Sequence, residues 1–108
     1  MTNYIETYRG NVSPLEIDST EHFTVAYYYE KFEAATWRFL RQAGVDPRIC
    51  KTTEALTHYK AELRNRDIYK IETACIQNGD HPRIAHKLFN AESGELCTTM
   101  QQDITGDR

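Results

Sequence analysis

The sequence lacks an excess of positive charge, a long apolar run and a cysteine framework, and each absence removes a class of function. The formal net charge is −3, so bulk attraction to a nucleic-acid backbone is not expected. No apolar stretch is long enough to cross a bilayer. There are 3 cysteines, Cys50, Cys75 and Cys97, and an odd number at wide spacing fits neither a disulfide scaffold nor a zinc knuckle. Cys75 and Cys97 fall in strand-like runs with no catalytic pattern around them, and both are expected to pack as small hydrophobes. Neither a glycine-rich nucleotide loop nor metal-ligand spacing occurs. The opening "MTNYIETYRG" is without the basic-then-apolar order of a signal peptide, which makes a cytoplasmic setting the expectation.

What is present suits one compact domain, residues 1–108. Hydrophobic residues make up 40% and charged residues 27%, ordinary values for a globular chain. Residues 4–17 read as extended, with Gly10 and Pro14 as irregularities. After the polar "DST" comes the strongest periodic signal. Val25, Tyr28, Tyr29, Phe32, Ala35, Phe39, Leu40 and Ala43 recur at helical steps. Gly44 and then Pro47 supply a stop, so a helix is predicted over 24–43. Trp37 and Ala34 widen its apolar stripe, which predicts burial on most sides.

Four further strands follow. Residues 53–64 alternate with a period of two, Leu56 excepted. "NRD" turns the chain into a strand over 68–77. "NGD" is a hairpin signal leading into "RIAHKLFN". "AESGE" then turns into "LCTTMQQDI". One strand, one buried helix and an antiparallel meander describe a sheet curled around a helix. A free sheet edge and an unclosed helix face predict self-association to a homodimer.

This order, with the stretch after Ile17, resembles the hot-dog-fold acyl-CoA thioesterases of the 4-hydroxybenzoyl-CoA thioesterase type. The motif reads here Asp18, Ser19, Thr20, Glu21, His22, Phe23, Thr24, then Tyr28, Phe32 and Glu33. "YRGNVSPLEID" is similar to the first strand of that family, and the segment from Tyr59 to Asp103 to its meander. The resemblance implies an α+β hot-dog fold, a five-stranded antiparallel sheet wrapped around one long central helix. It also implies hydrolysis of a small or medium acyl-CoA by a homodimer or homotetramer. Coenzyme A would then be part of the substrate, with no separate cofactor, no metal, no nucleic acid and no membrane partner. The "YRGNVSP" and "FEAATW" segments look most like the branch containing betainyl-CoA thioesterases. Two positions depart from the motif: Glu21 stands where the family has Gly, and Thr24 where it has Asn. They support an alternative, a non-catalytic acyl-CoA-binding or structural hot-dog protein. A hot-dog hydratase is disfavoured, because it has four residues between its Asp and His and only three lie between Asp18 and His22.

Thioester hydrolysis needs a base or nucleophile and a stabiliser for the oxyanion. Under the resemblance Asp18 supplies the first. Unpaired backbone amides at the start of the helix, around Thr24 and Val25, supply the second. Asp18 is otherwise a helix cap, as Thr20 or Thr24 also can be. His22 either orients the thioester or caps the helix. Phe23, Tyr28 and Phe32 are candidates for the pocket wall or core. Glu33, on a largely apolar helix, needs a polar partner. Lys60, Arg64 and Arg83 are candidate contacts for coenzyme A phosphates, with Arg66 and Lys87 nearby. His58 and His86 are expected at the surface or in cross-strand pairs.

Overall fold

The computed structural model describes residues 3–17, 25–78 and 81–106. The elements run β1 (Ile5–Asn11), α1 (Val25–Gln42), β2 (Cys50–Tyr59), β3 (Ile68–Asn78), β4 (His81–Asn90) and β5 (Leu96–Gly106). Short 3-10 turns lie at Pro14–Glu16 and Pro47–Ile49. The strands form one sheet in the order β1-β3-β4-β5-β2, every neighbouring pair antiparallel. This is the hot-dog arrangement that the resemblance implies, with α1 against its inner face, but the expected meander is broken at its start: β2 does not pair with β3 and instead joins β5 at the far edge.

Alternation decides which residues meet α1. Tyr69, Ile71 and Thr73 on β3 face inward, beside Leu88 and His86 on β4 and Thr98 and Met100 on β5. From the helix, Tyr28, Phe32 and Ala35 pack against them. These positions are the inner stripe of an 18-residue helix, about 27 Å long. The stripe is narrower than predicted. Tyr29 is 46% and Trp37 49% exposed, and Ala43 is also exposed. They belong to a second face that the sheet does not reach.

The stop predicted at Gly44 is present. Val45 N–H donates to the Leu40 carbonyl at 2.8 Å and Gly44 N–H to Arg41 at 3.1 Å, with Gly44 at φ +80°. That pairing is a Schellman closure, and the positive φ favours glycine.

Three sequence expectations need correction. The extended segment ends at Asn11, because Ser13 caps a 3-10 turn instead. Its Oγ accepts from Leu15 N–H while Glu16 accepts from Ser13 N–H at 3.1 Å, and Pro14 suits the first turn position. β2 leaves the ladder at Tyr59, earlier than the alternation suggests. There Lys60 and Ala61 N–H both donate to the carbonyl of Cys97, a residue bulged out of the β4–β5 register. Leu63 is nevertheless fully buried, from a loop. Finally, Cys97 packs as a small hydrophobe but Cys75 is exposed. Cys75 shares a face with Ile71 and Thr73, one step past the last covered residue.

The predicted hairpin over "NGD" is flanked by the paired Asn78 and His81; residues 79–80 lie outside the described set. Leu56 on the outer edge strand β2 is 51% exposed, which leaves an apolar side chain on an open sheet edge.

Candidate active-site cleft

The uncovered face of α1 lines a cleft of about 540 Å³. Tyr29, Glu33, Thr36, Trp37 and Leu40 form the helix wall. The opposite wall is Cys50, Thr52 and Ala55 of β2 with Met100, Gln102 and Ile104 of β5. Pro47 and Arg48 close one end. α1 seats most closely on β1 and β3, and the cleft opens along its other side, toward β5 and β2. Tyr29, Glu33 and Trp37 are spaced i, i+4, i+8 and so stack along one side of the helix. Glu33 has no ion-pair partner among the described residues, so the partner expected for it is not found within this chain's described part. The only guanidinium on the wall, Arg48, is already paired in a fork with Asp46 at 3.0–3.2 Å. That pairing holds the Asp46 carboxyl below its ordinary range, through the side-chain hydrogen bond first.

Beneath the cleft lies a polar chain that sequence reasoning did not anticipate. Gln102 amide N–H reaches Thr36 Oγ1 at 2.9 Å, and Thr36 Oγ1 reaches His86 Nε2 at 2.9 Å. His86 Nδ1 meets Thr73 Oγ1 at 2.8 Å, and Thr73 meets Thr7 Oγ1 at 2.7 Å. Thr7 is placed for this by the extra residue it makes in β1, where the register shifts between Glu6 and Tyr8. His86 is thus a cross-strand residue, opposite Thr73, but fully buried instead of at the surface. Burial holds its pKa down to about 3, so the ring is neutral. The signal in the sequence was weak: only its alternation with the apolar Ile84 and Leu88 placed His86 inward.

A tyrosine cluster flanks the other end of the helix wall. The Tyr28 and Tyr59 rings meet edge to face at 5.4 Å, and Thr57 Oγ1 donates to Tyr29 hydroxyl at 3.4 Å. Burial, then the hydrogen bond with Tyr29, pushes the Tyr59 hydroxyl up to about 12.

Of the residues singled out from the sequence, Asp18, His22, Phe23 and Thr24 lie outside the described residues. Val25 opens α1; its side chain is likewise outside the description. Tyr28 and Phe32 belong to the core and do not line the cleft. Tyr28 hydroxyl accepts from Leu63 N–H at 3.4 Å, and the Phe32 ring lies 5.3 Å from the His86 ring. The three cations do not converge. Lys60 and Arg64 are exposed just beyond β2. Arg83 lies on the face away from α1, bonded to Asp103 at 2.7 Å, and six steps along β5 carry the chain from Cys97 to Asp103, about 20 Å of strand.

The sequence profile of the thioesterase-like superfamily matches residues 12–106. The chain belongs to that superfamily. Solved structures agree on the fold. A candidate thioesterase from Pseudomonas putida KT2440 superposes with a TM-score of 0.85 at 20% identity, covering 96% of this chain and 73% of that one. A Staphylococcus aureus protein solved in complex with CoA gives 0.82 at 22% identity, covering 98% and 77%. A 1,4-dihydroxy-2-naphthoyl-CoA thioesterase from Synechocystis gives 0.79 at 13% identity, covering 96% and 83%. A comparison with curated protein sequences found no match. No helix among the described residues is long and apolar enough to cross a membrane.

Proposed function

We propose that the chain is a thioester hydrolase acting on a small or medium acyl-CoA, releasing the free acid and coenzyme A. The observation that carries this reading is the open cleft between α1 and the β5–β2 half of the sheet, in a chain of the thioesterase-like superfamily. Its volume suits a small acyl group. Asp18 acts as general base or nucleophile, backbone amides near Thr24 and Val25 receive the oxyanion, and His22 orients the thioester. Phe23 contributes to the pocket wall. The bound CoA of the Staphylococcus aureus relative supports coenzyme A as the leaving group. In this reading coenzyme A is substrate, and the chain employs no separate cofactor.

A betainyl-like acyl group is the finer form of this proposal. Two aromatic rings, Tyr29 and Trp37, flank an unpaired carboxylate, Glu33, along the helix wall. Such a wall attracts a quaternary ammonium through the ring faces and the negative charge. Self-association to a dimer or tetramer through the β2 edge would cover Leu56 and extend the sheet.

The second reading is a non-catalytic acyl-CoA-binding or structural hot-dog protein. Glu21 favours it, because a carboxylate in place of glycine crowds the backbone approach to a carbonyl. Release of free thiol from a panel of acyl-CoAs that includes betainyl-CoA separates the two. The enzyme reading expects turnover, and a loss of about a hundredfold or more in Asp18→Asn. Binding of the panel without turnover in the parent chain establishes the second reading instead.

A further inference from the structure

Gln102 lies on β5 facing α1 and is only 3% exposed, and the surface it retains belongs to the cleft wall. The direction of its amide follows from hydrogen bookkeeping at Thr36. Thr36 Oγ1 carries one hydrogen and has three polar neighbours: the Phe32 carbonyl, His86 Nε2 and the Gln102 amide, each at 2.9 Å. A carbonyl can only accept, so the hydroxyl hydrogen points to Phe32. Thr36 must then accept from the other two. With the Thr36 hydrogen on the Phe32 carbonyl, His86 is protonated on Nε2, its bare Nδ1 accepts from Thr73, and Thr73 accepts from Thr7, whose hydrogen turns to the hydroxyl at 2.7 Å over the Ile71 carbonyl at 3.3 Å. The Gln102 nitrogen is fixed toward Thr36. Its Oε1 is thereby turned the other way and has no partner among the described residues.

We propose that Gln102 is a specificity-determining residue whose Oε1 accepts a hydrogen bond from the acyl group, with Thr36 and His86 as positioning residues that fix its orientation. The inference rests on the thioesterase reading and deepens it. An acyl group with a hydroxyl or N–H at that depth satisfies the oxygen. A plain alkyl group of the same size takes water from it and gives nothing back, which a buried acceptor tolerates poorly. A carboxylate-bearing acyl group meets two acceptors, Gln102 and Glu33, and is excluded. This selection acts at the floor of the cleft and is separate from any attraction of a cation along the helix wall.

The test compares kcat/KM for butyryl-CoA with that for 2-, 3- and 4-hydroxybutyryl-CoA, in the parent chain, Gln102→Met and Thr36→Val. A ratio of two substrates on one preparation is independent of the folded fraction, so partial unfolding of a variant does not obscure it. The parent is expected to favour at least one hydroxyacyl substrate by roughly tenfold. Both substitutions are expected to bring that ratio close to one. A parent without hydroxyacyl preference, or a Gln102→Met chain that keeps it, overturns the inference and leaves the thioesterase reading standing. A parent that hydrolyses none of the four overturns that reading as well.

Discussion

His86 Nδ1 lies 2.8 Å from the Thr73 hydroxyl, and among the described residues no buried carboxylate, lysine or arginine stands near to welcome a second proton on the ring. Burial alone sets its pKa near 3, well below the ordinary value of 6.5. The unfolded chain therefore binds a proton that the folded chain refuses between those two values. Stability contributed by this residue is complete above about pH 6.5 and falls as the pH drops toward 3. Between pH 7 and pH 5 the expected loss is about 2 kcal/mol. Urea unfolding of the parent at the two pH values should show it, and His86→Leu should show a much smaller change. An equal change in both chains would mean that other groups carry the acid sensitivity.

The ring of Phe32 seals that site from above. It is fully buried, 5.3 Å from the imidazole. Phe32→Ala is expected to cost about 3–5 kcal/mol through lost transfer energy and the cavity left behind. The cavity borders a polar ring, so water can enter and ease protonation of His86. The acid-dependent loss between pH 7 and pH 5 should therefore shrink in Phe32→Ala. A normal acid response in a destabilised variant would show that the cavity stays dry.

Gly44 closes α1 with φ +80°, and a Cβ built there meets nothing within 4 Å. The cost of Gly44→Ala is then purely conformational, about 1–2 kcal/mol. Gly44→Asn should cost less, since asparagine tolerates the left-handed region. Thermal unfolding of the three chains checks the order. An alanine variant as stable as the parent would indicate that the helix end rearranges to release the strain.

Much of this architecture was legible from period alone. The helix, its glycine stop and the β3–β4–β5 meander follow from local rules, whereas β2, expected to turn straight into a pairing with β3, crosses to the far edge and pairs with β5. What misled was the width of the helical stripe. Tyr29 and Trp37 are apolar at helical spacing, and spacing does not say that the sheet stops short of them. Alternation alone likewise did not tell Cys75, which is exposed, from Cys97, which is buried at a bulge. The polar chain beneath the cleft was illegible for a different reason. Thr7, Thr36, Thr73, His86 and Gln102 come from five elements or element ends, and only the strand register and the bulge at Thr7 bring them into line. The motif residues Asp18, His22, Phe23 and Thr24 were legible only through the family resemblance.

Trp37 joins these two faces of the problem, since its indole is half-exposed yet lines the cleft. About half of this large ring is still buried, so Trp37→Ala should cost about 2 kcal/mol of stability. Its effect on substrate should be selective. Ring-face attraction for a desolvated cation reaches about 2 kcal/mol, so KM for betainyl-CoA should rise by roughly tenfold or more, while KM for butyryl-CoA should change less. Glu33→Gln should act in the same direction and, unlike Trp37→Ala, should also remove the part of betainyl-CoA affinity that weakens with added salt. If both substitutions shift the two substrates equally, the helix wall supplies general apolar contact and does not select for positive charge.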